Sequence, residues 1–131
     1  MSIREMFSLQ GQTAIVTGAG RGIGKAIALA FAEAGANVVC AARSLEQIEA
    51  TAAEAKAFGV DAIAVPCNVV KEEDLNNLVE KALEAFGQIN IVVNNAGGAF
   101  PNDHLKTEGD TLNSDFHFNV TSAFNLTRMT V

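Results

Sequence analysis

The stretch Thr17-Gly18-Ala19-Gly20-Arg21-Gly22-Ile23-Gly24 has the residue types of a phosphate-binding device. It follows the apolar run Ala14-Ile15-Val16 and opens a helical pattern. Glycines let the backbone approach phosphate oxygens, and a helix N-terminus offers unpaired N–H groups and a positive dipole end. A second cluster, Asn94-Asn95-Ala96-Gly97, directly follows another apolar run. Acid–base chemistry is more thinly supplied, because the chain contains no tyrosine. His104 and His117 have no partners at ligand spacing and read as surface or loop residues. Cys40 and Cys67 each lie in an apolar, strand-like segment and read as buried free thiols. Two cysteines at that spacing form no metal motif, and no metal site is expected.

Two familiar glycine patterns fail when read strictly. G-x-G-x-x-G started at Gly18 requires glycine at Ile23, and started at Gly20 requires it at Lys25. The P-loop pattern G-x-x-x-x-G-K-[ST] would need glycine at Ala19 and Ser or Thr at Ala26. Lys25 therefore reads as a solvated helix residue. The pattern that fits is T-G-x-x-x-G-x-G, from Thr17 to Gly24.

The elements that must position these motifs alternate between strand and helix. Thr13–Val16 reads as a first strand and Gly22–Ala34 as a helix, with Ile23, Ile27, Ala30 and Phe31 on one face. Gly35 closes that helix, and Asn37–Ala41 reads as a second strand. Ser44 and Gln47 make a capping box for the next helix, which Gly59 ends. Ala62–Cys67 is the third strand. The helix from about Glu72 to Phe86 carries Leu75, Leu78, Val79, Ala82 and Phe86 on its apolar face and stops at Gly87. Ile89–Val93 is a fourth strand, apolar enough for burial on both faces. Gly97–Asp110 reads as loop, Thr111–Phe118 as a short helix, and a further helix begins near Asn119. This βα rhythm predicts an α/β, Rossmann-like doubly wound parallel sheet with helices on both faces and strand order 3-2-1-4.

Size and composition narrow the function. A chain of 131 residues, 49% hydrophobic and 18% charged, makes at most one domain, so residues 1–131 are read as a single unit. A net charge of −6 argues against a nucleic-acid partner. No apolar run reaches membrane-spanning length, and the first residues lack the apolar core of a secretion signal. A cytoplasmic protein acting on a small molecule is expected. The Asn-x-Thr sequons at Asn119 and Asn125 are then coincidences.

Taken together, Thr17–Gly24, Asn94–Gly97 and the two βα units between them resemble the short-chain dehydrogenase/reductase family from about Leu9 to Arg128. The resemblance implies an oxidoreductase that passes hydride between a nicotinamide dinucleotide and a carbonyl, alcohol or enoyl substrate. It implies that Gly18, Gly20, Gly22, Ile23 and Gly24 cradle the pyrophosphate. Asn94 would brace the sheet, while Asn95, Ala96 and Gly97 would lie against the ribose. Asn68 and Val69 would meet the adenine, although the family usually has Asp where Asn68 stands. Asn119 would be the Asn of the catalytic tetrad, bending its helix and holding a water in the proton relay. The resemblance also implies a dimer or tetramer, built partly through the helix that begins at Asn119.

Cofactor choice follows from charge. NAD sites normally end the second strand with an acid that bonds the ribose hydroxyls. Here that strand ends Ala41-Ala42-Arg43-Ser44. Arg43, with Arg21 in the glycine loop, can grip a 2′-phosphate, which favours NADP(H) over NAD(H). The family's Tyr-x-x-x-Lys, and the Ser that steadies the substrate oxygen, have no counterpart in this sequence. The fourth strand is expected to leave an edge where a fifth would pair. The sequence therefore reads as the N-terminal portion of a longer reductase. The alternative is a non-catalytic nucleotide-binding or assembly fragment. Phe100, Pro101 and Leu105, in the loop after Gly98, form the available substrate wall.

Overall fold

In the computed structural model, residues 1–98, 103 and 105–131 are described. Phe100, Pro101 and His104 fall outside this set. Four parallel strands make one sheet in the order β3-β2-β1-β4, namely β1 (Thr13–Thr17), β2 (Asn37–Ala42), β3 (Ala62–Pro66) and β4 (Ile91–Val93). Ala14 lies beside Val38 on one flank and Ile91 on the other, and Val38 lies beside Ala62. The helices are α1 (Ile3–Met6), α2 (Gly22–Glu33), α3 (Leu45–Lys56), α4 (Glu72–Phe86), α5 (Gly109–Phe116) and α6 (Ser122–Thr130). A wide π-type turn, His117–Thr121, joins the last two into one helical run.

Successive strand residues point to opposite faces, which gives the sheet two cores. Ile15, Val39 and Val65 meet Leu75 and Leu78 of α4 and Leu126 of α6. Val16, Val38 and Cys40 meet Ala28 and Ala32 of α2 and Ile48, Ala52 and Ala55 of α3. The doubly wound architecture read from the sequence is therefore present, with its strand order.

Several local expectations change. The buried stripe of α2 is Gly24, Ala28 and Ala32, whereas Ile23 is 74% exposed and Ala30 is also exposed. Small residues at i, i+4 and i+8 let the helix lie close to the sheet, and the bulkier Ile27 and Phe31 pack at its flanks. Only half of the capping box at α3 forms. Ser44 Oγ accepts from the Gln47 N–H at 3.4 Å, while the Gln47 side chain lies against the glycine loop. A complete box occurs instead at α1, where Ser2 and Glu5 cap each other's backbone. Strand β4 begins at Ile91, not Ile89. Asn90 pairs with Thr13 through both its side chain and its backbone, with Oδ1 accepting from the Thr13 N–H at 2.8 Å. The strand is half-buried, as an edge strand is, not buried on both faces.

Candidate functional site

The glycine turn takes its shape from close packing. Gly22 sits at φ +57°, a left-handed conformation that side chains resist. Gly24 lies so near β1 that a Cβ there would overlap the Gly18 carbonyl oxygen and stand 2.5 Å from Asn95 Nδ2. The turn leads into α2 through Arg21, which occupies the N-cap without a side-chain cap hydrogen bond. The first N–H groups of α2 therefore keep their donor capacity and the positive end of the helix dipole.

Thr17 ties this turn to the second motif. Its hydroxyl is buried, donates to the Val93 carbonyl at 3.3 Å, and accepts from the Asn95 and Ala96 N–H groups at 3.0 Å each. Asn95 Nδ2 returns a hydrogen bond to the Gly18 carbonyl at 3.3 Å. Asn94 Nδ2 donates to Thr127 Oγ1 at 3.2 Å and so joins the end of β4 to α6.

These elements border a cleft of about 790 Å³ at the carboxyl ends of β1, β2 and β3. Gly18, Gly20, Arg21 and Gly22 form one wall, and Arg43 lies at the end of β2. Asn68 and Val69 follow β3, and Asn95, Ala96 and Gly97 complete the far side. Both arginines are exposed, and neither makes an ion pair among the described residues. Ile23 and Gly24 do not border this cleft. Lys25 is not simply solvated, because its Nζ pairs with Glu54 of α3 at 2.6 Å.

Asn68 is partly committed. Its Oδ1 accepts from the Val70 N–H at 3.2 Å, and its own N–H donates to Asp74 Oδ2 at 2.8 Å. One acceptor lone pair and the Nδ2 donor are left for a ligand. Beside it, Cys67 also borders the cleft; burial, with the nearby Asp74 charge adding, pushes its thiol up to about 12. Burial pushes Cys40 up to about 11. Both cysteines are free and buried, as expected. A thiol held protonated is a poor nucleophile.

Asn119 stands in the π-type turn, outside the cleft lining. Its Oδ1 accepts from the Gly98 N–H at 2.7 Å, and its Nδ2 donates to the carbonyls of Gly98 at 3.0 Å and Asp115 at 2.8 Å. The side chain is thus a clamp on the segment that follows Gly97. His117 is not a surface residue. It is half-buried, with Nε2 placed 2.9 Å from the Val70 carbonyl, so Nε2 carries the proton. Phe118, next to Asn119, and Gln47 also border the cleft. Sequence patterning missed both, and their one signal was nearness to Asn119 and Arg43. Leu105 is 84% exposed and does not line the cleft.

A parallel sheet in this order, with a glycine turn feeding an uncapped helix and a cleft over the strand ends, defines a Rossmann-like α/β protein whose cleft offers unpaired N–H donors. The chain belongs to the short chain dehydrogenase family, whose pattern matches residues 12–131. It is 44% identical over 125 residues to an uncharacterized oxidoreductase of Mycobacterium tuberculosis, covering 95% of this chain and 48% of that protein. It is 37% identical over 121 residues to the 7alpha-hydroxysteroid dehydrogenase of Escherichia coli, covering 92% and 47% respectively. The crystal structure of a short-chain type dehydrogenase/reductase from Mycobacterium marinum superposes with a TM-score of 0.93 at 33% identity, covering 99% of this chain and 53% of that one. The chain spans about half the length of the curated relatives it matches.

Proposed function

We propose that residues 1–131 form the N-terminal portion of an NAD(P)-binding Rossmann domain, in an oxidoreductase that prefers NADP(H). Its substrate would be a small carbonyl or alcohol compound, or an enoyl compound. The observation that carries the cofactor preference is the pairing of Arg21 and Arg43 on one cleft, with no acid at the end of β2. Guanidinium groups bind phosphate bidentately, whereas an acid there would repel it.

In this reading Gly18, Gly20 and Gly22 let the backbone approach the pyrophosphate, and the N–H groups opening α2 at Gly22, Ile23 and Gly24 share its charge. Ile23 contributes through its backbone, consistent with its exposed side chain. Arg43 and Arg21 take the 2′-phosphate, Asn68 and Val69 the adenine, and Asn95, Ala96 and Gly97 the ribose. The bound dinucleotide supplies or takes up hydride. Asn119 fixes the backbone at Gly98 and so holds the ribose-facing segment in place. No tyrosine in these residues can move the substrate proton. The second reading is a non-catalytic nucleotide-binding or assembly fragment. Turnover by the verified 131-residue chain would reject it.

Fluorescence titration with NADPH and NADH tests the cofactor reading. NADPH is expected to bind more tightly, and Arg43→Ala to weaken NADPH by about tenfold while leaving NADH nearly unchanged, as loss of one charge-assisted contact would do. Equal affinity for the two cofactors, or a preference for NADH, would overturn it. A homo-oligomer is also proposed. Leu112, Phe116, Val120 and Phe124 form an apolar row along the last helical run, and each is exposed, from 46% at Val120 to 64% at Leu112 and Phe124. Phe124→Asp should lower the sedimentation coefficient of the assembly, and an unchanged value would remove this row from the interface.

A further inference from the structure

Helix α3 turns a polar row toward the glycine turn. Gln47, Thr51 and Glu54 stand at i, i+4 and i+7, on one helix face. Glu54 pairs with Lys25 at the start of α2. Gln47 packs so close to Gly20 that a Cβ on that glycine would lie 2.9 Å from Gln47 Cβ. Between them Thr51 is fully buried, and its Oγ1 lies 2.9 Å from the Ala19 carbonyl, 32 residues earlier in the chain. A threonine inside a helix ordinarily bonds back to the carbonyl four residues before it. Here that contact, to Gln47, is the longer one at 3.2 Å.

The Ala19 peptide groups are held on both sides. The Ala19 N–H donates to the Ala41 carbonyl of β2 at 3.2 Å, and the Ala19 carbonyl accepts from Thr51. The bond from Ala19 to Gly20 is a planar trans peptide, so its C=O and N–H point in opposite directions. Turning the Ala19 carbonyl into α3 therefore turns the Gly20 N–H away from α3. Gly20 borders the cleft, and its N–H has no backbone partner among the described residues.

We infer that Thr51 is a positioning residue for the anion-receiving turn, setting the direction of the Gly20 N–H through its hydrogen bond to the Ala19 carbonyl. The consequence for cofactor affinity rests on the dinucleotide reading above; the geometry of the brace does not. Thr51→Val keeps the branched shape and removes the donor, while Thr51→Ser keeps the donor and removes a methyl group.

The test measures NADPH affinity by fluorescence and hydrogen exchange of the cofactor-free Ala14–Gly24 segment, in the protein that carries this chain. Thr51→Val should weaken NADPH by about tenfold and speed exchange across that segment, and Thr51→Ser should restore both. Parent-like exchange in Thr51→Val would overturn the inference, as would a loss of affinity that Thr51→Ser fails to rescue. Should Thr51→Val not fold, Thr51→Cys, a weak donor, replaces it in the same comparison. A parent protein that binds no NADPH, with the exchange pattern still as expected, would count against the dinucleotide reading and leave the brace standing.

Discussion

The turn from β1 into α2 and the helical run from Gly109 to Thr130 border the same end of the sheet but are held very differently. The turn is fixed by partners from three neighbours: the buried Ala41 of β2 and Thr51 of α3, and the half-buried segment that ends β4. The helical run is anchored along one side only. Its anchors include Leu126 in the core with Phe118 and Met129 packed beside it, the buried Ser122 and Asn125, and the hydrogen bonds of Asn94 to Thr127, Asn119 to Gly98 and His117 to Val70, while its outer face is apolar and exposed. The half of the cleft formed by the glycine turn is thus organised by the described residues themselves. The half that carries Asn119 is organised from one side.

The comparison can be broken most forcefully at Gly24. Gly24→Val forces a branched side chain into the Gly18 carbonyl and the Asn95 amide, so the backbone of the turn itself must shift. The expected result is loss of cooperative thermal unfolding together with loss of nucleotide binding. A normal melting curve would show that the turn is softer than its packing implies. Next in size is Leu126→Ala. This is the fully buried large side chain of the run, so its truncation should cost about 2–5 kcal/mol by urea denaturation. A cost below about 1 kcal/mol would mean that the helix is hardly docked on the sheet.

Thr17→Val sharpens the same contrast from the other side. It removes the acceptor of the Ala96 N–H and leaves the Asn95 N–H only its longer bond to the Val93 carbonyl, at a cost of about 1–3 kcal/mol. Nucleotide affinity should fall with it, since both glycine-bearing segments are joined at this hydroxyl. A drop in stability with unchanged affinity would uncouple the two motifs. The smallest effect concerns Cys67. Its folded thiol is pushed up to about 12, so above the ordinary thiol value of about 8.5 the unfolded chain loses its proton first. Stability is full below that value and falls as pH rises toward 12. Cys67→Ala should flatten this alkaline decline in pH-dependent denaturation curves, and an unchanged slope would assign the decline to other groups.

Much of this was legible in the sequence where the signal is periodic or punctuated. The strongly patterned helix expected from about Glu72 to Phe86 is found at Glu72–Phe86, and glycines at 35, 59 and 87 mark where chain segments turn. The strand order follows from the βα rhythm; Gly20 comes from the glycine motif, Arg21 and Arg43 from charge, and Asn68 and Asn95 from the family resemblance, and the cleft is lined by all five. What stayed hidden depends on partners distant in sequence or on weak signals. Thr51 is an ordinary helical threonine until Ala19 is folded beside it. The face of α2 was misjudged because Gly24, Ala28 and Ala32 carry little hydrophobic weight, although they are what fits against the sheet. Helix α1 is too short for periodicity to register. The wide turn at Asn119 has no composition signature at all.

That turn has a consequence for phase. A regular α-helix advances about 100° per residue, so each four-residue step overshoots a full revolution by about 40°. Leu112, Phe116, Val120 and Phe124 are separated by such steps and would wind steadily around an unbroken helix. A turn closed from residue i to i+5 absorbs one residue with less rotation, and the π-type turn at His117–Thr121 does so midway along the row. It acts as a vernier, holding the apolar row on the outer side while Leu126 returns to the inner one. Removing a single residue there would let the run close as one regular α-helix with both ends facing as they do now, whereas removing one elsewhere along the run would rotate one end against the other by about 100°, exchanging what faces the sheet for what faces outward.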